Sequence, residues 1–172
     1  MIAPPPLDVA PAGPENRRVI ELRQAASAAE IEVLRGLFRE YQRWVDEPCC
    51  FASFEQELAG LPGDYAPPAG RLLLASEAGA PAGCAALRRL DAKTGEMKRL
   101  YVRPAFRGRG LGRRLAEAVI DAAREAGYAS LVLDTLPKMT SAIALYRALA
   151  FSPRGPYAEN PTPGAIFFEL QL

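Results

Sequence analysis

The chain of 172 residues contains no histidine. That absence removes the usual forms of a zinc centre, a Ser-His-Asp triad and a Cys-His pair. Cysteine is scarce as well. Cys49, Cys50 and Cys84 are an odd set, far from the density of a disulfide scaffold, and the adjacent pair reads as packing rather than as a metal clamp. No apolar run approaches the ~20 residues of a membrane span. The opening Met1-Ile2-Ala3-Pro4-Pro5-Pro6 lacks the basic and apolar regions of a secretory leader, so a cytoplasmic location without membrane attachment is expected. An excess of charge of either sign is also missing: 21 Lys and Arg face 20 Asp and Glu, for a net charge of +1. The molecule as a whole has no attraction for nucleic acid or an anionic surface, and any anion site must be local. Chemistry here must be carried by carboxylates, tyrosine, lysine, cysteine or backbone groups.

What is present suits one domain with a sizeable core, since 49% of residues are apolar. Residues 1–16 hold five prolines and little that can be buried, which predicts a disordered arm ahead of a domain over 17–172. Residues 19–23 read as a strand. Ser27 with Glu30 three residues on is a capping box, and Ile31, Leu34, Leu37, Phe38, Tyr41 and Val45 mark the apolar face of the helix it opens. A short helix is expected over 51–61, then a breaker-rich loop over 61–68. Strands at 71–75, 82–90 and 96–102, joined by turns at 77–80 and 91–95, predict an antiparallel meander. Leu111, Leu115, Ala118, Val119, Ala122 and Ala126 recur at helical spacing until Gly127. A continuous strand over 130–134, a helix marked by Ala142, Ile143, Tyr146 and Leu149, and a closing strand over 165–170 complete the pattern. The order β-α-α-β-β-β-α-β-α-β predicts an α/β (α+β) fold, a mixed sheet with helices on its faces.

Between the third meander strand and the next helix lie Gly108, Gly110 and Gly112, among Arg103, Arg107, Arg109, Arg113 and Arg114. Glycines let a backbone approach a ligand closely and adopt unusual dihedrals. The first N–H groups of a helix have no partners within it, and its dipole adds roughly half a positive charge at that end. A phosphate or diphosphate fits this arrangement. A flexible loop with solvated arginines is the competing reading, since short glycine motifs match by chance. A P-loop is disfavoured because Arg113 and Arg114, rather than Lys and a hydroxyl residue, follow Gly112. A dinucleotide-binding βαβ unit is disfavoured because the preceding strands read as antiparallel.

Arg107-Gly108-Arg109-Gly110-Leu111-Gly112 resembles the Q/R-x-x-G-x-G/A signature of the GNAT acyl-CoA N-acyltransferases. Residues 96–102 are similar to the strand that leads into it, and Ala142 to Phe151 to a later helix of that family. The resemblance covers residues 18–172, most strongly 71–151. It implies a mixed, mostly antiparallel sheet of six to seven strands with about four helices, acetyl-CoA as the cofactor, and direct transfer to an amine of a small molecule, amino-acid-like compound or peptide. It implies a gap between the strands at 96–102 and 130–135 that holds the pantetheine arm along Leu100, Tyr101 and Val102. The diphosphate would sit on Arg107, Gly108, Arg109, Gly110, Leu111 and Gly112, with Arg113 beside it. Two departures stand out: Ala150 replaces the usual glycine before Phe151, and Met139 stands where many members place an asparagine against the cofactor.

The resemblance also implies that Tyr146 protonates the leaving thiolate. By spacing alone Tyr146 reads as core, and a buried ring with a wet hydroxyl satisfies both. Glu96 lies where one branch of the family has its catalytic glutamate and is the candidate base, against a plain solvated residue after a turn; Asp91, Asp134, Glu55 and water are the alternatives. Tyr41, Trp44, Phe51, Phe54 and Tyr157, with Asp46, Glu47 and Glu55, are the candidates for the acceptor site, against ordinary core and surface roles. A non-catalytic acyl-CoA-binding module and an RNA contact through the arginines are the competing functions; neither a metal nor nucleic acid is expected as a partner. The sequence leaves the oligomeric state open, a homodimer being one possibility by analogy with the family.

Overall fold

The computed structural model describes residues 19–47, 53–157 and 163–172. The proline-rich arm expected over 1–16, together with Cys49, Cys50 and Phe51, lies outside the described residues. Among the described residues seven strands form one sheet: β1 (Ile20–Gln24), β2 (Arg71–Glu77), β3 (Ala80–Arg89), β4 (Thr94–Val102), β5 (Ser130–Thr135), β6 (Ser152–Arg154) and β7 (Ile166–Gln171). Their order is β1-β2-β3-β4-β5-β7-β6, antiparallel throughout except for β4 against β5. Four α-helices among the described residues accompany them: α1 (Ala28–Val45), α2 (Phe54–Gly60), α3 (Leu111–Glu125) and α4 (Thr140–Ala148). This is the mixed, mostly antiparallel architecture that the resemblance implies.

The helices cover the two faces of the sheet. Leu34, Leu37 and Phe38 of α1 and Phe54 and Leu58 of α2 bury against Leu72, Leu74, Cys84 and Ala86. On the opposite face Leu111, Leu115 and Val119 of α3 and Tyr146 of α4 pack on Leu87, Met97, Leu131 and Phe168. Side chains alternate between these cores along each strand, as the two-residue period of a strand requires.

Local chemistry sets the helix ends. The Ser27 hydroxyl accepts from the Glu30 N–H while the Glu30 carboxylate accepts from the Ser27 N–H, so the capping box forms as the sequence predicts. Helix α3 ends where Gly127 adopts a left-handed φ of 81° and the Tyr128 N–H reaches back to Ala123 O. Helix α4 closes the same way without a glycine. Ala150 takes φ 66°, and the Phe151 N–H donates to Tyr146 O at 3.0 Å. Substituting the usual glycine thus preserves the cap but strains the backbone.

One strand escapes the sequence reading. Ser152-Pro153-Arg154 pairs with Phe167 to Glu169 as the sheet edge. Its proline lacks an N–H, which is tolerated only at such an edge, and three residues are too few to show a period.

Candidate active site

Strands β4 and β5 pair only over Thr94–Glu96 and Ser130–Val132. Beyond Glu96 they part, although β3 stays on the far side of β4 and β7 on the far side of β5. A bulge drives the parting. Cys84 opposes Tyr101 while Ala86 opposes Lys98, so β4 carries one extra residue there, and Arg99 sits at a left-handed φ of 58°. Arg99 is held in that conformation from outside the strand. Its guanidinium pairs with Glu57 of α2 and lies 5.4 Å from the Phe54 ring centre, and Tyr65 donates to the same Glu57 carboxylate at 2.7 Å. Burial disfavours the Glu57 carboxylate anion, but the hydrogen bonds and charge of Arg99 outweigh this and hold its pKa below the ordinary range. Gly83 allows the close approach opposite the bulge: a Cβ there would stand 2.5 Å from Tyr101 O.

The parted strands open a solvent-connected cleft lined by Tyr41, Lys98, Leu100, Asp134, Met139 and Tyr146 among others. At its mouth β4 runs through a 3-10 turn at Pro104–Phe106 into the glycine turn. Gly108 and Gly110 adopt φ 74° and 75°, and Gly110 is the N-cap of α3. The first bond inside the helix is Arg114 N–H to Gly110 O. Among the described residues, the consecutive N–H groups of Gly108, Arg109, Gly110, Leu111, Gly112 and Arg113 meet no acceptor in the chain. Together with the positive end of the helix dipole, these groups could hold an anion.

The arginines around it are mostly staples. Arg103 forks onto Glu40 at 2.9 and 2.7 Å. Arg109 pairs with the buried Glu77, Arg113 with Glu117, and Arg114 donates to Ile20 O. Arg107 donates through Nε to Val102 O at 2.9 Å and lies 4.9 Å from the Trp44 ring centre. Trp44, half exposed, continues through Tyr41 to Tyr101 as an aromatic wall.

Tyr146 is 6% exposed, with its ring against Phe151 and Phe168. Its hydroxyl has no hydrogen bond among the described residues. No sealed side-chain oxygen there lacks a partner, so the hydroxyl opens on the cleft it lines. Burial raises its pKa above the ordinary phenol value, keeping the proton in place. Met139 also lines the cleft, and its sulfur accepts from the Thr135 hydroxyl at 3.3 Å.

Glu96 is only 2% exposed, at the last paired position before β4 and β5 part. Its carboxylate is ringed by donors: Arg88 Nε at 2.6 Å, Tyr157 OH at 2.9 Å and Lys98 Nζ at 3.4 Å. Lys98 bridges onward to Asp134 at 3.2 Å. The other acidic candidates serve local structure. Asp91 accepts the N–H groups of Lys93 and Thr94 in its turn, Asp46 caps α1, Glu55 pairs with Arg39 and Glu47 with Lys138. Phe54 packs in the α2 core under Arg99. Sequence reasoning did not single out Lys98, Arg88 or Arg99, because a charged residue in a strand reads as a solvent-facing one. Among the described residues no group of His, Cys, Asp and Glu could hold a metal, and no helix is long and apolar enough to cross a membrane.

A sheet splayed beside a run of unaccepted backbone N–H groups, with a phenol opening into the gap, is an arrangement that could receive an extended anionic ligand. Comparison with known proteins gives the family. The family model described as Acetyltransferase (GNAT) family matches residues 31–151, and the chain belongs to that family. An uncharacterized N-acetyltransferase of Schizosaccharomyces pombe is 35% identical over 145 residues, covering 83% of this chain and 89% of that protein. Among solved structures, an acetyltransferase from Streptococcus agalactiae superimposes with a TM-score of 0.74 at 21% identity, covering 89% of this chain and 98% of that one. The Salmonella typhimurium protein yncA, solved with its cofactor acetyl-CoA, does so with a TM-score of 0.64 at 24% identity, covering 88% and 93%. At these identities the structural likenesses speak for the fold.

Proposed function

We propose that this protein is an acetyl-CoA-dependent N-acetyltransferase acting directly on a primary amine. The observation that carries the reading is the run of unaccepted main-chain N–H groups from Gly108 to Arg113 at the mouth of the β4–β5 gap. The first N–H groups of a helix have no partner within it, and beside the positive end of the dipole such a run favours an anionic partner. The acetyl-CoA of the Salmonella typhimurium structure supports that partner by likeness of fold. The cradle from Arg107 to Arg113 would hold the diphosphate, and the unpaired edge of β4 at Leu100, Tyr101 and Val102 would pair with the amide-bearing arm as an added strand does. Met139 would pack against that arm in place of a polar contact.

Acetyl-CoA supplies the acetyl group and a thiolate leaving group: one C–N bond forms, one C–S bond breaks, the ammonium sheds two protons, and one of them ends on sulfur. The chain's part is to move those protons and to steady the charge. A β4 main-chain N–H near Tyr101 or Val102 would polarise the carbonyl oxygen. Tyr146 holds its proton firmly and would donate a hydrogen bond to the sulfur as negative charge gathers there. Glu96 is less apt as a base than as a support, because its carboxylate already carries Arg88, Tyr157 and Lys98. That sealing is the one observation favouring a non-catalytic acyl-CoA-binding module.

Incubation with acetyl-CoA and a broad amine panel separates the two readings. Thiol release with a matching mass gain of the amine is expected, in a Cys-free variant so that the protein's own thiols do not respond. Tight CoA binding with no acetylated product from any amine overturns the enzyme reading in favour of the module.

A further inference from the structure

We propose that the acceptor is a zwitterionic, amino-acid-like amine, its ammonium held at Asp134 and its carboxylate at Arg88, with Glu96 fixing Arg88 in place. This rests on the acetyltransferase reading above.

The argument starts at Tyr146. Asp134 lines the same cleft, near the end of β5 and past the point where β4 departs, and its side chain is 22% exposed. Its carboxylate shares the cleft lining with Tyr146, and Lys98 Nζ at 3.2 Å shows that it accepts from an ammonium. From there a line of contacts leads away: Lys98 to Glu96 at 3.4 Å, then Glu96 to Arg88 at 2.6 Å. Two side chains, Lys98 and Glu96, thus link the Asp134 carboxylate to the Arg88 guanidinium.

Arg88 is suited to the far end. It rises from β3 directly opposite Glu96, and its side chain is 35% exposed. The bond to Glu96 uses Nε. The two terminal nitrogens make no hydrogen bond among the described residues, so the guanidinium presents its fork outward. A planar fork held from behind is the arrangement that grips a carboxylate with two hydrogen bonds. The fixing residue is itself fixed, because Tyr157 donates to Glu96 at 2.9 Å. An arginine held this way needs a buried anchor, and that accounts for Glu96 being sealed among donors.

Charge balance points the same way. The charged bed runs from the cleft-lining Lys98, Arg99 and Asp134 to Arg88, Glu96 and Glu57, joined by ion pairs. Positive and negative charges are equal in number, and each cation stands against an anion. A zwitterion adds one charge of each sign and leaves the bed neutral. A simple amine leaves an unmatched positive charge, and a peptide amino terminus offers Arg88 only a neutral carbonyl. In the reaction, Asp134 takes the first proton from the ammonium and returns it to water after the acetyl group has passed.

The test compares three acceptors that share one side chain: a free α-amino acid, its carboxamide and its decarboxylated amine. For the unaltered protein, kcat/KM should favour the free acid by roughly 10- to 100-fold, the worth of a charged hydrogen-bonded contact. In Arg88→Ala that preference should shrink to about twofold or less, mainly through KM of the acid, while CoA affinity is unchanged; Arg88→Lys should restore part of it. The preference of the unaltered protein stands as evidence even if Arg88→Ala fails to fold. Equal or better turnover of the carboxamide or the amine overturns this proposal and leaves the acetyltransferase reading intact. No acetylation of any amine overturns both.

Discussion

Replacing Gly110 by alanine should separate the strain of the glycine turn from its ligand-binding role. Gly110 sits at φ 75° with nothing within 4 Å of a built Cβ, so alanine meets no steric clash. The cost is conformational, about 1–2 kcal/mol for a left-handed alanine. The lower entropy of the unfolded chain returns about 0.4–1 kcal/mol of it. A net loss near 1 kcal/mol lowers the melting temperature of a chain this long by roughly 2–4 °C. The binding effect is larger. If residue 110 relaxes to negative φ, the N–H groups of Leu111 and Gly112 turn from the cradle, and each lost bond to a charged oxygen weakens binding by about 1.5–3 kcal/mol, roughly 10- to 100-fold in CoA affinity. Gly112→Ala is the control. Its Cβ would meet Leu145 Cδ2 at 3.8 Å and Val102 Cγ2 at 3.9 Å, ordinary contacts inside a first helical turn. Stability should rise by up to about 1 kcal/mol, with CoA affinity within about threefold, well below the loss of one charged bond. Calorimetric melting and isothermal titration read both variants. Unchanged CoA affinity in Gly110→Ala, or an equal loss in Gly112→Ala, would refute the assignment of the cradle.

Three further outcomes are expected. Ala150→Gly removes a left-handed alanine from the end of α4 and should stabilise the protein by about 0.5–1 kcal/mol, seen as a higher melting temperature; no gain would mean the strain is relieved elsewhere. Tyr146→Phe should lower kcat by about 100-fold or more with little change in KM for acetyl-CoA, and unchanged kcat would return Tyr146 to a purely packing role. The Glu30 carboxylate, held down to about 2 chiefly by the Ser27 and Ala26 N–H groups, has a folded pKa below its unfolded value of 4.5. Its contribution is therefore complete above pH 4.5 and lost as the pH falls toward 2. Glu30→Gln should flatten the acid limb of a stability–pH curve in that window, and an identical limb would rule the capping box out as its cause.

What could be read from the sequence was local. The Ser27–Glu30 box, the Gly127 stop and the glycine turn each depend on a few adjacent residues and their dihedrals. The bulge at Arg99 could not be read, because no glycine marks it; its left-handed backbone is held by Glu57 and Phe54 from a different element. The arginine cluster looked like one anion site. Most of its members instead reach partners far along the chain, such as Glu40 for Arg103 and Ile20 O for Arg114, which only the fold brings near. Glu96 illustrates the limit best. Its position opening a strand is visible, but its burial comes from Arg88 on β3 and Tyr157 near the chain end. Strand β6 was hidden because three residues with a proline carry neither period nor propensity.

The most direct measurement follows the backbone amides of residues 108–113 during titration with CoA and, separately, with pantetheine lacking the diphosphate. Gly108 through Arg113 should shift with CoA and stay still with pantetheine, whose effects should fall on β4 and α4. Saturable CoA binding that leaves those six amides unmoved would contradict the claim that the backbone cradle holds the diphosphate.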